Sequence, residues 1–267
     1  MTRFPLVLAA AILLSGCDVR VGENGVSVGI IEGKATDEWV RTYTLSAGGT
    51  LEIVNVNGQI EASPATGNQI EVRAEREARA NTEEGAKTLL SQLEMRETVT
   101  PDQVRIETRG DFAGSRPGHR SEYVIRYRVL VPVGIAVSLK TENGGVRLEG
   151  LSNRVTAVTT NGGITGRNLT GAVRAEVVNG GIQIELASVG GDINVSSTNG
   201  GIQLTLPPDG KATLEANCVN GGIFVEEGLA VQTTEATRRR IVGTLNGGGP
   251  RISAETVNGG VRIRART

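Results

Sequence analysis

One tripeptide limits what this chain can fold into more than any other feature. Asn-Gly-Gly recurs at Asn143, Asn161, Asn179, Asn199, Asn220, Asn246 and Asn258, with a degenerate copy, Asn57-Gly58-Gln59, nearer the start. Four of the intervals are 18 to 21 residues, the one from Asn220 to Asn246 is longer, and the last is shorter. A period of this length marks a repeat architecture, in which each unit buries its apolar face only against its neighbours.

The residues around each asparagine agree with one another. Three positions after it stand Val146, Ile164, Ile182, Ile202, Ile223 and Val261, and five after it Leu148, Ile184, Leu204, Val225 and Ile263. Two before it are Thr141, Thr159, Val177, Ser197, Cys218, Thr244 and Thr256; four before it, Leu139, Ala157, Ala175, Val195, Ala216, Val242 and Ala254. Period-two alternation on both sides of a turn describes strands with one buried face. Asn-Gly supplies the positive φ angles of a tight turn at little steric cost. Two architectures fit: an antiparallel meander of hairpins, or a β-solenoid whose turns stack about 4.8 Å apart. Position-by-position likeness favours the solenoid, because asparagine then falls on asparagine, and Asn ladders stabilise such stacks.

Composition agrees with a narrow interior. Glycine is abundant at 37 residues and aromatics make up only 3%, so the core must be filled by small and branched side chains. The expected fold is therefore all-β, a parallel β-helix-like solenoid of about 18–21-residue Asn-Gly-Gly repeats with one inserted amphipathic helix. That helix is expected near 81–97, where Asn81 or Thr82 can cap it and Leu89, Leu90, Leu93 and Met95 form an apolar stripe. Strands are expected at Gln103–Thr108 and Ser121–Val133, with a Gly/Arg/Pro-rich loop at Gly110–His119. Residues 17–45 read as a tether with one weak strand docked by Trp39, and 46–267 as the solenoid domain.

Residues 1–16 read as a lipoprotein signal peptide. Arg3 precedes an apolar run from Phe4 to Leu14, too short for a mature membrane span of about 20 residues. The run closes in Leu14-Ser15-Gly16-Cys17, which resembles the bacterial lipobox and makes Cys17 the expected lipidation site. The expectation is a chain held by acyl groups on a membrane, at the periplasmic face of the inner or outer membrane or at the cell surface. Asp18 leans towards the inner membrane.

The segments Leu51–Ala62 (LEIVNVNGQIEA) and Val129–Gly150 (VLVPVGIAVSLKTENGGVRLEG), separated by a charged helical insert and followed by NGGI turns, carry a family resemblance. The chain resembles the DUF4097 family of adhesin-like β-solenoids over roughly residues 45 to 265, with the head-GIN adhesin-like domains as second choice. The resemblance implies envelope binding and brings no catalytic residues.

Charge and reactive side chains exclude several functions. With 28 Lys+Arg against 29 Asp+Glu there is no field for nucleic acid. If Cys17 carries lipid, Cys218 stands alone and no internal disulfide forms; at an inward repeat position it reads as a small core residue. His119, the single histidine, sits beside Arg116 and Arg120, and no metal or cofactor site is expected. Glu176, Glu185, Asp192 and Glu215 do not share one repeat position, so paired catalytic carboxylates are not expected. Arg238-Arg239-Arg240 reads as a solvated loop, and Arg262, Arg264 and Arg266 as charges protecting a terminal edge strand. The reading is a non-enzymatic binding or scaffold module, lipid-anchored in the envelope and presenting a repetitive β surface to a protein or polysaccharide. The alternatives are a polysaccharide-active enzyme with a groove along the solenoid, and an accessory to a membrane-embedded partner.

Overall fold

In the computed structural model, residues 18–22, 25–29, 33–109 and 121–266 are described. Cys17, Arg116, His119 and Arg120 lie outside them. Asp18–Gly22 (β1) and Gly25–Gly29 (β2) form a separate antiparallel pair. Gly33–Tyr43 (β3) precedes a first coil, Thr50–Val54 (β4) and Ile60–Pro64 (β5). Ile70–Ala80 (β6), helix Glu83–Ser91 (α1) and Glu94–Val99 (β7) follow, then a second coil, Gln103–Arg109 (β8) and Ser121–Val131 (β9).

Four regular coils come next. They are Ala136–Asn143 and Val146–Glu149 (β10, β11), Val155–Asn161 and Ile164–Leu169 (β12, β13), Val173–Asn179 and Ile182–Leu186 (β14, β15), and Ile193–Asn199 and Ile202–Leu206 (β16, β17). Ala212–Asn220 and Ile223–Val225 (β18, β19) lead to a hairpin, Val231–Ala236 and Arg240–Leu245 (β20, β21). Arg251–Asn258 and Val261–Ala265 (β22, β23) close the chain.

Each coil gives one strand to each of two sheets. The first sheet runs β20-β21-β18-β22-β16-β14-β12-β10-β4-β8-β7, and the second β19-β23-β17-β15-β13-β11-β5-β9-β6-β3. Coil pairs with coil in parallel, Ala157 on Ala175 and Ile164 on Ile182, which selects the solenoid over the meander. The interior is as narrow as the composition requires. Ala157, Ala175, Ala254 and Ala216 form one row on the first sheet, while Ile164, Ile182 and Ile202 face inward from the second, all at most 2% exposed. Burying each large aliphatic side chain stabilises by about 1.5–3 kcal/mol.

The coils do not stack in chain order. β22–β23 slides between β16–β17 and β18–β19, so the last strand is no edge: β23 pairs with β17 on one side and β19 on the other. Arg262, Arg264 and Arg266 therefore do not protect a terminal strand. At the other end β4–β5 lies between β10–β11 and β8–β9. The outer edges are antiparallel strands or very short ones, which limits end-to-end pairing.

Three further expectations change. Gly33–Tyr43, placed in the tether by sequence, pairs over its whole length with β6, and Trp39 packs partly buried against the core. The helix is shorter than 81–97: Thr82 caps it through a hydrogen bond from Gly85 N, and the chain turns at Gln92 to extend as β7 against β8. Asn246 is not a repeat asparagine. With φ 48° before Gly247 at φ 88°, it makes, among the described residues, the one Asn-Gly reverse turn of the kind the tripeptide predicted, closed by Gly248 N to Leu245 O at 2.9 Å. Its Nδ2 donates to the carbonyls of Pro208 and Gly210, holding the crossing over the start of β18.

Candidate functional site

The turn edge of the solenoid is built from hydrogen bonds between identical residues. Asn143 Nδ2 donates to Asn57 Oδ1, Asn161 to Asn143, Asn179 to Asn161, Asn199 to Asn179, Asn258 to Asn199 and Asn220 to Asn258, all at 2.8–3.0 Å. None of these asparagines has a positive φ; in five coils it is the glycine after them that has one, between 125° and 158°, and that glycine also meets its neighbouring coil. A Cβ on Gly180 would lie 2.0 Å from Gly162 O in the next coil, and one on Gly200 1.9 Å from Gly180 O, so only glycine lets the turns stack. Beneath them Thr141, Thr159, Ser197 and Thr256 donate their hydroxyls to the first-glycine carbonyl of the coil below. The ladder is a structural device that fixes the register of everything it carries. Cys218 occupies the same inward row at 6% exposure, with no other cysteine among the described residues.

That register lines up an outward row on the second sheet, four residues after each asparagine. In spatial order it reads Arg147, Thr165, Gln183, Gln203, Arg262, Phe224, each directly opposite the next. At the Arg147 end the row is closed by ion pairs: Arg147–Glu61 at 2.8 Å, Arg128–Glu61 at 3.8 Å and Arg128–Glu75 at 2.9 Å. From Gln183 onward it opens into a groove of about 410 Å³, lined by Gln183, Gln203, Arg262, Phe224 and the glycine edge. A smaller stretch of about 150 Å³ continues it over Thr165, Arg167 and Thr205, sharing both glutamines. Phe224 is 56% exposed, and the Arg262 guanidinium lies 5.8 Å from its ring centroid.

The carboxylates singled out from the sequence are engaged in structural pairs. Glu176 meets Arg174, Glu185 meets Arg266 at 3.2 Å, and Asp192 Oδ1 accepts from Arg251 N at 2.9 Å. Glu215 accepts from Asn217 and Arg251, which hold its carboxyl below the usual range, and it also pairs with Arg240 at 3.0 Å. Arg240 thereby leaves the solvated loop expected for 238–240 and joins the β18 surface, with Glu235 at 3.0 Å as its other partner. A second cleft of about 300 Å³ lies on the first sheet between Thr198, Val219, Val257 and Arg239.

Sequence reasoning missed the groove. It weighed charges at single positions, whereas Phe224, Gln203 and Gln183 share one repeat position. The available signal was that fourth position itself, which along the stack reads Arg, Thr, Gln, Gln, Arg, Phe.

Among the described residues no helix is long and apolar enough to cross a membrane. The chain matches the Toastrack DUF4097 family over residues 50–264. No curated protein matches it. Among solved structures it is similar to a "putative cell adhesion protein" from Clostridium sporogenes, with 12% identity, 87% of this chain and 100% of that one covered, and a TM-score of 0.49. It is also similar to a "putative adhesin" from Bacteroides fragilis, at 12% identity, 86% and 97% coverage and a TM-score of 0.40. A "putative lipid binding protein" from Parabacteroides distasonis aligns at 11% identity over 86% and 97%, with a TM-score of 0.27. Likenesses this distant carry no argument about activity. The family match is of another order, running from the first residue of β4 into β23, and the chain belongs to the Toastrack DUF4097 family.

Proposed function

We propose that the protein is a non-enzymatic, adhesin-like envelope module, anchored by lipid at Cys17, that binds its partner on the outer face of the second sheet. The observation that supports this most is the contrast along one row of side chains. Ion pairs close the face beside Arg147 and leave it open from Gln183 to Phe224 on a backbone held rigid by the asparagine ladder. A rigid repeat surface suits binding because contact area grows with the number of rungs. The pairing of Glu176, Glu185, Asp192 and Glu215 argues against catalysis, since an acid or base among them must first leave a partner.

The test is crosslinking of the full-length protein in its membrane, followed by capture, with Cys17→Ala as control. Envelope protein or polysaccharide enriched only with Cys17 intact, with its polymer length unchanged, is the expected outcome. Release of new reducing ends would replace the binding reading with a glycan-active enzyme. Enrichment of nothing above the control would remove the binding reading. Incorporation of labelled palmitate into the wild type and not into Cys17→Ala checks the anchor separately.

A further inference from the structure

We infer that the groove from Thr165 to Phe224 takes an acidic polysaccharide, a uronate-bearing chain lying along the solenoid axis. This rests on the binding reading above and names its ligand class.

The lining chemistry selects a sugar over a protein. Protein hot spots cluster around buried apolar anchors, but here Phe224 is the single large apolar side chain exposed in the groove. The rest is amide and hydroxyl: Gln183, Gln203, Thr165 and Thr205 each offer both a donor and an acceptor, as the hydroxyls of a sugar require. Gln183 and Gln203 stand in direct register on adjacent parallel strands, about 4.8 Å apart. A polymer laid across the rungs would meet the same amide at successive steps, as a linear glycan presents the same hydroxyls at successive units.

Charge then selects an acidic sugar. On the second sheet every arginine from β3 to β11 has a carboxylate partner: Arg41, Arg73, Arg76, Arg79, Arg126, Arg128 and Arg147. Along the groove the pattern stops. Arg266 neutralises Glu185, the one carboxylate in the lining, while Arg167 and Arg262 have no carboxylate within ion-pair range among the described residues. Arg262 is also pre-positioned. The Phe224 ring, 5.8 Å from the guanidinium carbon, favours this position through a cation–π contact and leaves N–H groups for a bidentate carboxylate, which lysine could not match. Phe224 thus acts as a positioning residue for Arg262 and presents its remaining exposed edge to the apolar side of a sugar ring.

The experiment is equilibrium binding of the full-length protein in detergent to alginate, polygalacturonate and hyaluronan, with dextran as the neutral polymer. At least one acidic polymer is expected to bind more tightly than dextran. Arg262→Gln should weaken that binding roughly tenfold and flatten its salt dependence. Phe224→Ala should act in the same direction more weakly, and Phe224→Trp should rescue it by restoring a ring under Arg262. Arg174→Gln, on the opposite sheet, should leave binding unchanged, and all variants should keep the wild-type melting midpoint. Equal binding of dextran overturns the acidic class. Acidic binding that ignores Arg262 and Phe224 overturns the groove while leaving the envelope-binding reading intact. Retention of none of the acidic polymers overturns the inference, and the crosslinking experiment still reports independently on whether anything is bound.

Discussion

Between Ala136 and Leu206 four coils follow one another in space as they do in sequence, whereas at both ends that order breaks. The middle coils are nearly interchangeable. Each contributes a ladder asparagine, a first glycine in contact with the next coil, and the same inward pattern, and direct cross-strand partners are often identical, as in Thr141–Thr159 or Ile182–Ile202. Beyond the end coils nothing repeats. The N-terminal end is covered by α1 and by the long antiparallel pair β3–β6, laced by ion pairs such as Arg73–Glu38 and Lys34–Glu77. The C-terminal end is covered on the first sheet by the β20–β21 hairpin, and on the second it finishes in three-residue β19. A solenoid interior stabilises itself by stacking, but its ends need polar outer caps. In this chain the caps come with a rearrangement: both the first coil and the last are enclosed by neighbours on two sides.

The largest test of that contrast is truncation. A chain ending at Pro250 loses β22–β23, the only strands joining β18–β19 to β16–β17. Amide exchange should show β18–β21 unprotected while β10–β17 stay protected. Retained protection in β18 would mean that it had dropped one rung onto β16, and that the last coil does not dictate the order.

Next in size is a pair of glycine substitutions in one turn. Gly200→Ala, at a position whose φ is not in the left-handed region, forces a Cβ to 1.9 Å from Gly180 O and is expected to cost about 4 kcal/mol or more in denaturant unfolding. Gly201→Ala, in the same turn, places its Cβ 3.5 Å from Gly260 O, in ordinary contact, and is expected to cost no more than about 1 kcal/mol. Equal costs would show that conformational freedom, and not contact between coils, explains the repeat.

A smaller effect of opposite sign is expected at the irregular first coil. Asn55 stands where four of the other coils carry Thr or Ser, and its buried Oδ1 has no partner while Nδ2 donates to Ile125 O at 2.9 Å. Asn55→Thr keeps a donor and removes the orphaned acceptor, so stability should rise by about 1 kcal/mol. A loss on urea titration would show that the second amide bond, to Gly58 O at 3.2 Å, matters more.

The weakest contrast at neutral pH emerges in acid. Burial alone would raise the Glu77 and Glu52 carboxyls, but hydrogen bonds from Arg126, Arg79 and Lys34 to the first, and from Arg105 and Lys140 to the second, hold both below 4.5. A depressed folded-state value stabilises above the unfolded value and is lost as pH falls through the folded one. Below pH 4.5 the N-terminal end should therefore lose exchange protection before β12–β15. Simultaneous loss would show that the ion pairs contribute little. The Tyr43 and Tyr127 phenols, both raised chiefly by burial, stay protonated throughout this range.

What the sequence by itself determined is the repeat: two strands per coil, which side chains face inward, the parallel register and the asparagine ladder. Each follows from local periodicity, and one-residue slips are forbidden because they would turn Ile182 or Ala175 to solvent. Only the tertiary structure decided the order of the coils at the ends, the departure of Asn246 from the ladder, and with these the groove. The physical reason is degeneracy. Every coil offers its neighbours the same backbone bonds and the same Ala, Val and Ile rows, so the repeats alone allow β22 to stack beyond β18 or beneath it. The choice falls to non-repeating contacts such as Asn246 with Pro208 and Gly210. That choice puts β23 between β17 and β19, and so brings Arg262 beside Gln203 and over Phe224.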